Sequence, residues 1–571
     1  MRGERFLNKI SEKFNILETT REFEDQITIL VDRNDLPSVV KYIYYDIGAY
    51  LTSVAGNDER PINKHFALYY VLSVEGGKLQ NDEVFSQDEK CFITVRTLIP
   101  ANEPTFPSVT PFVPACVWYE RELYDMFGLV AEGLPDKRRL VLSDDWPEDL
   151  FPLRKDSMNY NHKPEVVKLD SEPEFNFIEP SGEDLVNVPL GPLHITNEEP
   201  GHFRLYCDGD TIVDADYRLF YIHRGMEKLA ENRMNYDQMG YLAERICGIC
   251  GYAHSIACIE AAERAAGIEI PKRAQALRVA FAEIERLHSH LLNIGLACEA
   301  TGNWTAFMHI FKIREYTMQL AELVTGGRKT YGNVIIGGLR RDITGENIKK
   351  SLKLLDDIEL QTKEIWDAVM DDKRQVRRWK GVGVLPTQIA RDFSPVGPTI
   401  RGCGIARDFR FDHPYDFYKE IDFKPSVCEG GDVFARVNVR YLDTISSINI
   451  IRQCLSLIPN TAIKTNATIN IKPGKYALGY TEAPRGDATH WLMQGGAQKV
   501  YRWKARASTY ANWPSLKYQL RGNVVADAAL IICSLDPCFS CTERVIITDI
   551  KSKKSKVLGE KEFKALCQKK D

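Results

Sequence analysis

At 571 residues the chain is too long for one ordinary core and implies about two to four domains. Hydrophobic residues make up 44% and charged residues 27%, as in a soluble globular protein, and a net charge of -5 offers no basis for a nucleic-acid groove. No apolar run reaches the ~18 residues of a membrane span, and Met1-Arg-Gly-Glu-Arg-Phe-Leu-Asn-Lys9 lacks an apolar targeting core and a twin-arginine signal, so a peripheral, cytoplasmic protein is expected.

In chain order, strand-like runs at Gln26–Val31 and Phe66–Leu72 flank a helix expected over 35–53, the pattern of a small α+β module over 1–165. Within it, Val117-Trp-Tyr-Glu-Arg-Glu-Leu-Tyr-Asp-Met-Phe-Gly128 places Glu120, Arg121, Glu122 and Asp125 on one acidic helix face, read as an interface. Residues 166–190, rich in Pro, Glu and Asn, form a linker. A second module over 191–544 opens with a β-rich segment whose Asp208-Gly209 marks a hairpin turn. Helices are expected over 272–300, with Leu277, Phe281, Ile284, Leu287 and Leu291 in one stripe, and over 306–325 and 346–372. The lysine-rich stretch 545–571 reads as a strand with a solvated basic end.

Two cysteine pairs about 290 residues apart carry the chemistry: Cys247-Gly-Ile-Cys250 and Cys538-Phe-Ser-Cys541. Together they offer four thiolates, a donor set for a soft metal. Structural zinc, a redox dithiol and a disulfide framework are the competing readings. Zinc ribbons usually keep their pairs roughly 15–20 residues apart, whereas these bracket a helical domain. A thioredoxin-like site needs one pair, and a disulfide framework needs an oxidising compartment. The remaining cysteines lack partners at ligand spacing and read as small core residues.

The flanks narrow the choice. Glu244-Arg-Ile-Cys-Gly-Ile-Cys-Gly-Tyr-Ala-His254 and Asp536-Pro-Cys-Phe-Ser-Cys-Thr-Glu-Arg544 resemble the two nickel-binding signatures of the [NiFe]-hydrogenase large subunit. The stretches 117–128, 134–142 and Pro152-Leu-Arg-Lys-Asp156 resemble, in order, the 30-kDa subunit of respiratory complex I. A fusion of these modules resembles the large subunit of formate hydrogenlyase complexes (hydrogenase-3 and hydrogenase-4 types, group 4). The fold this implies is an α+β N-terminal domain followed by a mostly α-helical, hydrogenase large-subunit-like and complex I 49-kDa-like domain with peripheral strands.

The resemblance implies a Ni–Fe centre, with CO and cyanide on the iron, that evolves H2 reversibly. It makes Cys247 and Cys538 terminal nickel ligands and Cys250 and Cys541 bridges. His254, four residues past Cys250, would tune a bridging thiolate through a hydrogen bond. Glu227, in Arg224-Gly-Met-Glu227, would be the proton-gating carboxylate with a raised pKa. Arg485, in Ala483-Pro484-Arg485-Gly486, would lie over the metals with Pro484 beside it, and Asp536 would pair with Arg485 or cap the ligand turn. Ser508 matches the position of a cyanide hydrogen-bond donor, with Thr509 as the alternative.

Arg544 stands where uptake hydrogenases have a magnesium-binding histidine, so no magnesium is expected. The chain has no iron–sulfur ligand set, which implies an iron–sulfur small subunit, together with membrane subunits at the cytoplasmic face of the cell membrane. A formate dehydrogenase or ferredoxin would be the electron donor, and a maturation endopeptidase would remove residues 545–571. The alternatives are a non-catalytic quinone-site or scaffold subunit of a complex I-type assembly and a zinc-stabilised interaction protein.

Overall fold

The computed structural model describes residues 2–75, 89–144, 146–158, 175–181, 184–192, 200–221, 223–466, 469, 471–496, 498–538, 547–549 and 554–556. In the first module five strands pair into one mixed sheet. These are β1 (Glu18–Phe23), β2 (Gln26–Leu30), β3 (Tyr50–Asp58), β4 (His65–Val74) and β5 (Cys91–Pro100), in spatial order β1-β2-β5-β4-β3. Only the β2–β5 pair is parallel, in register from Gln26 opposite Phe92 to Leu30 opposite Arg96.

The helix expected over 35–53 is shorter. It runs over Leu36–Lys41, continues as one π turn over Tyr42–Asp46, and stops where Gly48 takes φ 85°. The chain then enters β3, which is buried throughout. A strand covered on both faces shows no polar alternation, so nothing in its pattern marked it as a strand.

Helix α1 (Val117–Phe127) carries the acidic face, and that face is inside the protein. Glu120 accepts hydrogen bonds from Tyr70, Ser108, Thr110 and the Val109 amide, while Asp125 accepts three amides, Leu140, Val141 and Leu142. Both carboxylates latch loops within the module. Glu122 alone crosses to the second module, to Lys504 and Tyr510.

The second module starts with the antiparallel pair β6 (His202–Asp208) and β7 (Thr211–Arg218), joined through Gly209 and Asp210. Its helices are α2 (Met226–Arg233), α3 (Tyr236–Glu244), α4 (Gly251–Ala266), α5 (Lys272–Glu299), α6 (Trp304–Thr325), α7 (Gly345–Asp371) and, among others, α8 (Val433–Ser456). An antiparallel sheet, β8 (Tyr476–Ala483), β9 (Gly486–Gly496) and β10 (Lys499–Arg506), lies between these helices and the first module. Gly479 lets β8 approach α4, since a Cβ there would lie 2.1 Å from the Ala257 carbonyl oxygen.

The modules share one hydrophobic core, running from Phe6, Leu72 and Phe92 to Leu277, Ile448 and Trp491. Buried polar bonds also cross it: Arg502 donates to the Gly56 carbonyl, Arg506 to the Thr52 carbonyl, and Arg407 to Glu75. The hairpin carrying Arg485 is therefore braced from both sides. No helix among the described residues is long and apolar enough to cross a membrane.

Candidate metal centre

The centre is assembled by α5, a 28-residue helix buried along most of its length. Glu285 accepts the Tyr252 and Ala253 amides, both at 2.9 Å, and so caps the first turn of α4 just after Cys250. Its neighbour Arg286 donates to the carbonyls of Glu482 (2.6 Å) and Ala483 (3.1 Å), holding the β8–β9 hairpin. Two turns on, Asn293 donates to the Cys533 carbonyl at 2.8 Å and fixes the segment leading to Cys538. One helix thus sets the positions of both cysteine-bearing segments and of the hairpin that carries Arg485.

Three of the four predicted cysteine ligands converge. Cys247 and Cys538 place their sulfurs 3.1 Å apart, and all three thiols are at most 4% exposed. That separation is well beyond a disulfide bond of ~2.05 Å. The amides of Ile249 and Cys250 each donate to the Cys247 sulfur at 3.3 Å. Cys541 and Arg544 lie outside the described residues. Among the described residues alone, no group of three His, Cys, Asp or Glu side chains forms a complete metal cage.

Arg485 occupies the tip of a two-residue turn between β8 and β9, with Pro484 before it. Its guanidinium lies 3.8 Å from the Cys247 sulfur and 3.9 Å from that of Cys250. It also donates to the Asp536 carbonyl (2.6 Å) and carboxylate (2.8 Å), so Asp536 pairs with Arg485. Burial opposes the arginine's charge, but Asp536 and the three sulfurs outweigh it. Asp536 adopts φ 57°, a left-handed conformation that Asp and Asn tolerate better than most residues.

These residues suit a soft cation. Cys250 without one is a thiol pushed well up by its hydrogen bond with Cys247 and by burial. Crowded buried thiols beneath a guanidinium do little for stability by themselves, whereas thiolate sulfur is a good donor for nickel and iron. The buried polar atoms without partners among the described residues include the Nε2 of His254 and the hydroxyl of Thr509. Ser508 is committed, donating to the Gly486 carbonyl at 2.6 Å, so the hydroxyl left over is that of Thr509.

His254 lies on the first turn of α4, and its Nδ1 is 3.0 Å from His490 Nε2. Glu227 differs from expectation. It lies on α2, 2.7 Å from Arg502 and bonded to the Ala505 amide at 3.1 Å, with Lys504 at 3.9 Å. Burial alone would raise its pKa, but Arg502 and Lys504 overcome that and hold it below the ordinary carboxylate range. The direction is opposite to the expected rise, and these contacts tie Glu227 to β10.

The carboxyl with a raised pKa is Glu285, pushed up to about 8 chiefly by burial, and it interacts electrostatically with Lys329. Lys329 is itself lowered to about 8 by burial and contacts His288 at 3.0 Å. Tyr331 completes this side, donating to the Cys247 carbonyl at 3.0 Å. Sequence reasoning missed these groups because Glu285 sits inside a regular helical stripe. The one available signal was a charged residue among the apolar positions of α5.

Known families tile the chain in agreement with this geometry. The family model for the respiratory-chain NADH dehydrogenase 30 Kd subunit matches residues 29–162, and that for the 49 Kd subunit matches 300–477 and 465–544. The nickel-dependent hydrogenase model matches 224–295, the segment that holds Cys247 and Cys250. Formate hydrogenlyase subunit 5 of Escherichia coli is 49% identical, over 98% of this chain and 97% of its own length. Hydrogenase-4 component G of the same organism is also 49% identical, over 98% of this chain and 96% of its own. Among solved structures, a chain of the membrane-bound sulfane sulfur reductase, an archaeal respiratory membrane complex, matches with TM-score 0.60 and 30% identity, covering 64% of this chain and all of that one. The chain belongs to the large subunits of group 4 membrane-bound [NiFe] hydrogenases, of the formate hydrogenlyase type, and is an oxidoreductase.

Proposed function

We propose that the chain is the catalytic subunit of a hydrogen-evolving complex, interconverting two protons and two electrons with H2 at a Ni–Fe centre held by Cys247, Cys250, Cys538 and Cys541. The observation that carries this reading is the convergence of three buried cysteines beneath Arg485. When bound, such a centre supplies the redox chemistry of H2, with CO and cyanide keeping its iron low-spin. Around it, Arg485 offers a fixed positive charge and hydrogen-bond donors within a site shielded from water. Thr509, rather than Ser508, has a hydroxyl left to donate to a cyanide.

Protons need a route, and Glu285 and Lys329 suit it better than Glu227 does. Burial raises the Glu285 carboxyl and lowers the Lys329 ammonium, which brings each toward the range where it can take or give a proton at working pH. Lys329 is partly exposed, which gives the pair a connection to solvent. Electrons would come through an iron–sulfur small subunit. Membrane subunits would anchor the assembly at the cytoplasmic face, with a formate dehydrogenase or ferredoxin as donor. The retained cysteine pairs argue against the alternative of a quinone-site scaffold.

The test is H2 evolution with a chemically reduced dye by the purified complex, alongside Arg485→Lys. A point charge on a flexible stem cannot reproduce the forked contacts to Asp536, so turnover is expected to fall about 100-fold or more, as when one aimed donor is lost. Wild-type protein that contains metal but makes no H2 would refute the proposal.

A further inference from the structure

Behind His254 runs a hydrogen-bond chain that no part of the proposed chemistry uses. The Trp503 indole nitrogen on β10 donates to His490 Nδ1 on β9 at 3.1 Å, and His490 Nε2 lies 3.0 Å from His254 Nδ1. All three side chains are at most 1% exposed. An indole N–H can only donate, so His490 Nδ1 must accept. A neutral imidazole that accepts at Nδ1 carries its hydrogen at Nε2, which makes His490 the donor to His254. His254 Nδ1 then accepts, and its hydrogen is at Nε2. That last N–H is the buried group without a partner among the described residues, one helical turn from Cys250.

We propose that Trp503 and His490 are positioning residues that lock His254 in its Nε2–H tautomer, holding a buried donor ready for a cysteine sulfur once the metal centre is assembled. The inference rests on the hydrogenase reading for its acceptor. The order Trp503, His490, His254 follows from donor and acceptor chemistry alone. A donor on a metal-bound sulfur withdraws charge from the metals, so the chain sets the electron density at the iron from two residues away.

Two measurements test it separately. In the nickel-loaded complex, the infrared CO and cyanide bands report electron density at the iron. Trp503→Phe and His490→Leu should shift the CO band to lower frequency with nickel retained. His490→Gln, whose amide N–H reaches the same acceptor, should keep the wild-type band. Unshifted bands in both Trp503→Phe and His490→Leu overturn the proposal. In the metal-free full-length chain, NMR of isotope-labelled histidine nitrogens should find His254 protonated at Nε2. Protonation at Nδ1 overturns the chain of donors whatever the metal. Wild-type complex lacking CO and cyanide bands would refute the hydrogenase reading, and the NMR result would still decide the tautomer.

Discussion

Replacing Glu285 by glutamine is expected to stabilise the fold while impairing the reaction. In the unfolded chain this carboxyl has its ordinary value of 4.5, and in the fold burial pushes it up to about 8. A carboxyl whose folded pKa is raised weakens the fold at every pH above its unfolded value. The penalty is absent below 4.5, grows as pH rises from there to about 8, and is constant beyond. Near pH 7 the gap is roughly 2.5 units at ~1.4 kcal/mol each, or about 3.5 kcal/mol. Glutamine carries no such penalty, but its single amide oxygen can take the place of only one of the two oxygens that accept the Tyr252 and Ala253 amides, so one of these hydrogen bonds is lost at every pH. Urea unfolding of the full-length chain should therefore show the stability of Glu285→Gln relative to wild type rising by about 3.5 kcal/mol between pH 4.5 and pH 7, on top of a pH-independent loss of about 1–3 kcal/mol for the missing hydrogen bond. Hydrogen–deuterium exchange on H2 gas should slow in the same variant, because the amide cannot titrate. A difference between variant and wild type that stays constant from pH 4.5 to pH 7, or that moves against the variant as pH rises, would show that Glu285 is an ionised helix cap and would refute this reasoning.

Glu227→Gln should behave oppositely, losing stability near neutral pH because Arg502 keeps the wild-type carboxylate ionised, while H2 exchange stays near wild type; loss of exchange with an intact fold would restore it as a proton gate. Its cost should be about 1.5–3 kcal/mol, that of a hydrogen bond to a charged group, read as a lower urea midpoint. Asp536→Asn keeps a residue suited to φ 57° and should lower turnover with the fold retained, whereas Asp536→Ala adds backbone strain and should also lower the melting temperature. Equal melting for the two variants would show that the left-handed turn is unstrained. Protein matured with nickel is expected to end at Arg544 by intact mass, and an active, metal-loaded enzyme retaining Lys569 and Asp571 would overturn that.

The parts of the site legible in the sequence are those whose chemistry is local. Each cysteine pair lies within four residues, and Arg485 lies in a two-residue turn, so short motifs carry them. The long helices were equally legible: α5 was expected over 272–300 and spans Lys272–Glu299. Features that depend on distant neighbours were not. The motif around Glu227 says nothing of Arg502, 275 residues away, which reverses its titration. The charges of α1 read as one face, yet Glu120 and Asp125 face amides and hydroxyls that only the folded loop supplies. The expected helix over 35–53 runs into the first four residues of β3, because a strand buried on both faces has no alternation to mark its start. The Trp503–His490–His254 chain joins two strands to a helix and has no local signature at all.

The most direct test of the central claim is elemental analysis of the mature protein, purified with its complex, in wild-type form and as Cys538→Ser. The account predicts nickel and iron in equal amounts in the wild type and loss of nickel in the variant. Zinc in place of nickel, or nickel retained in full by Cys538→Ser, would contradict it.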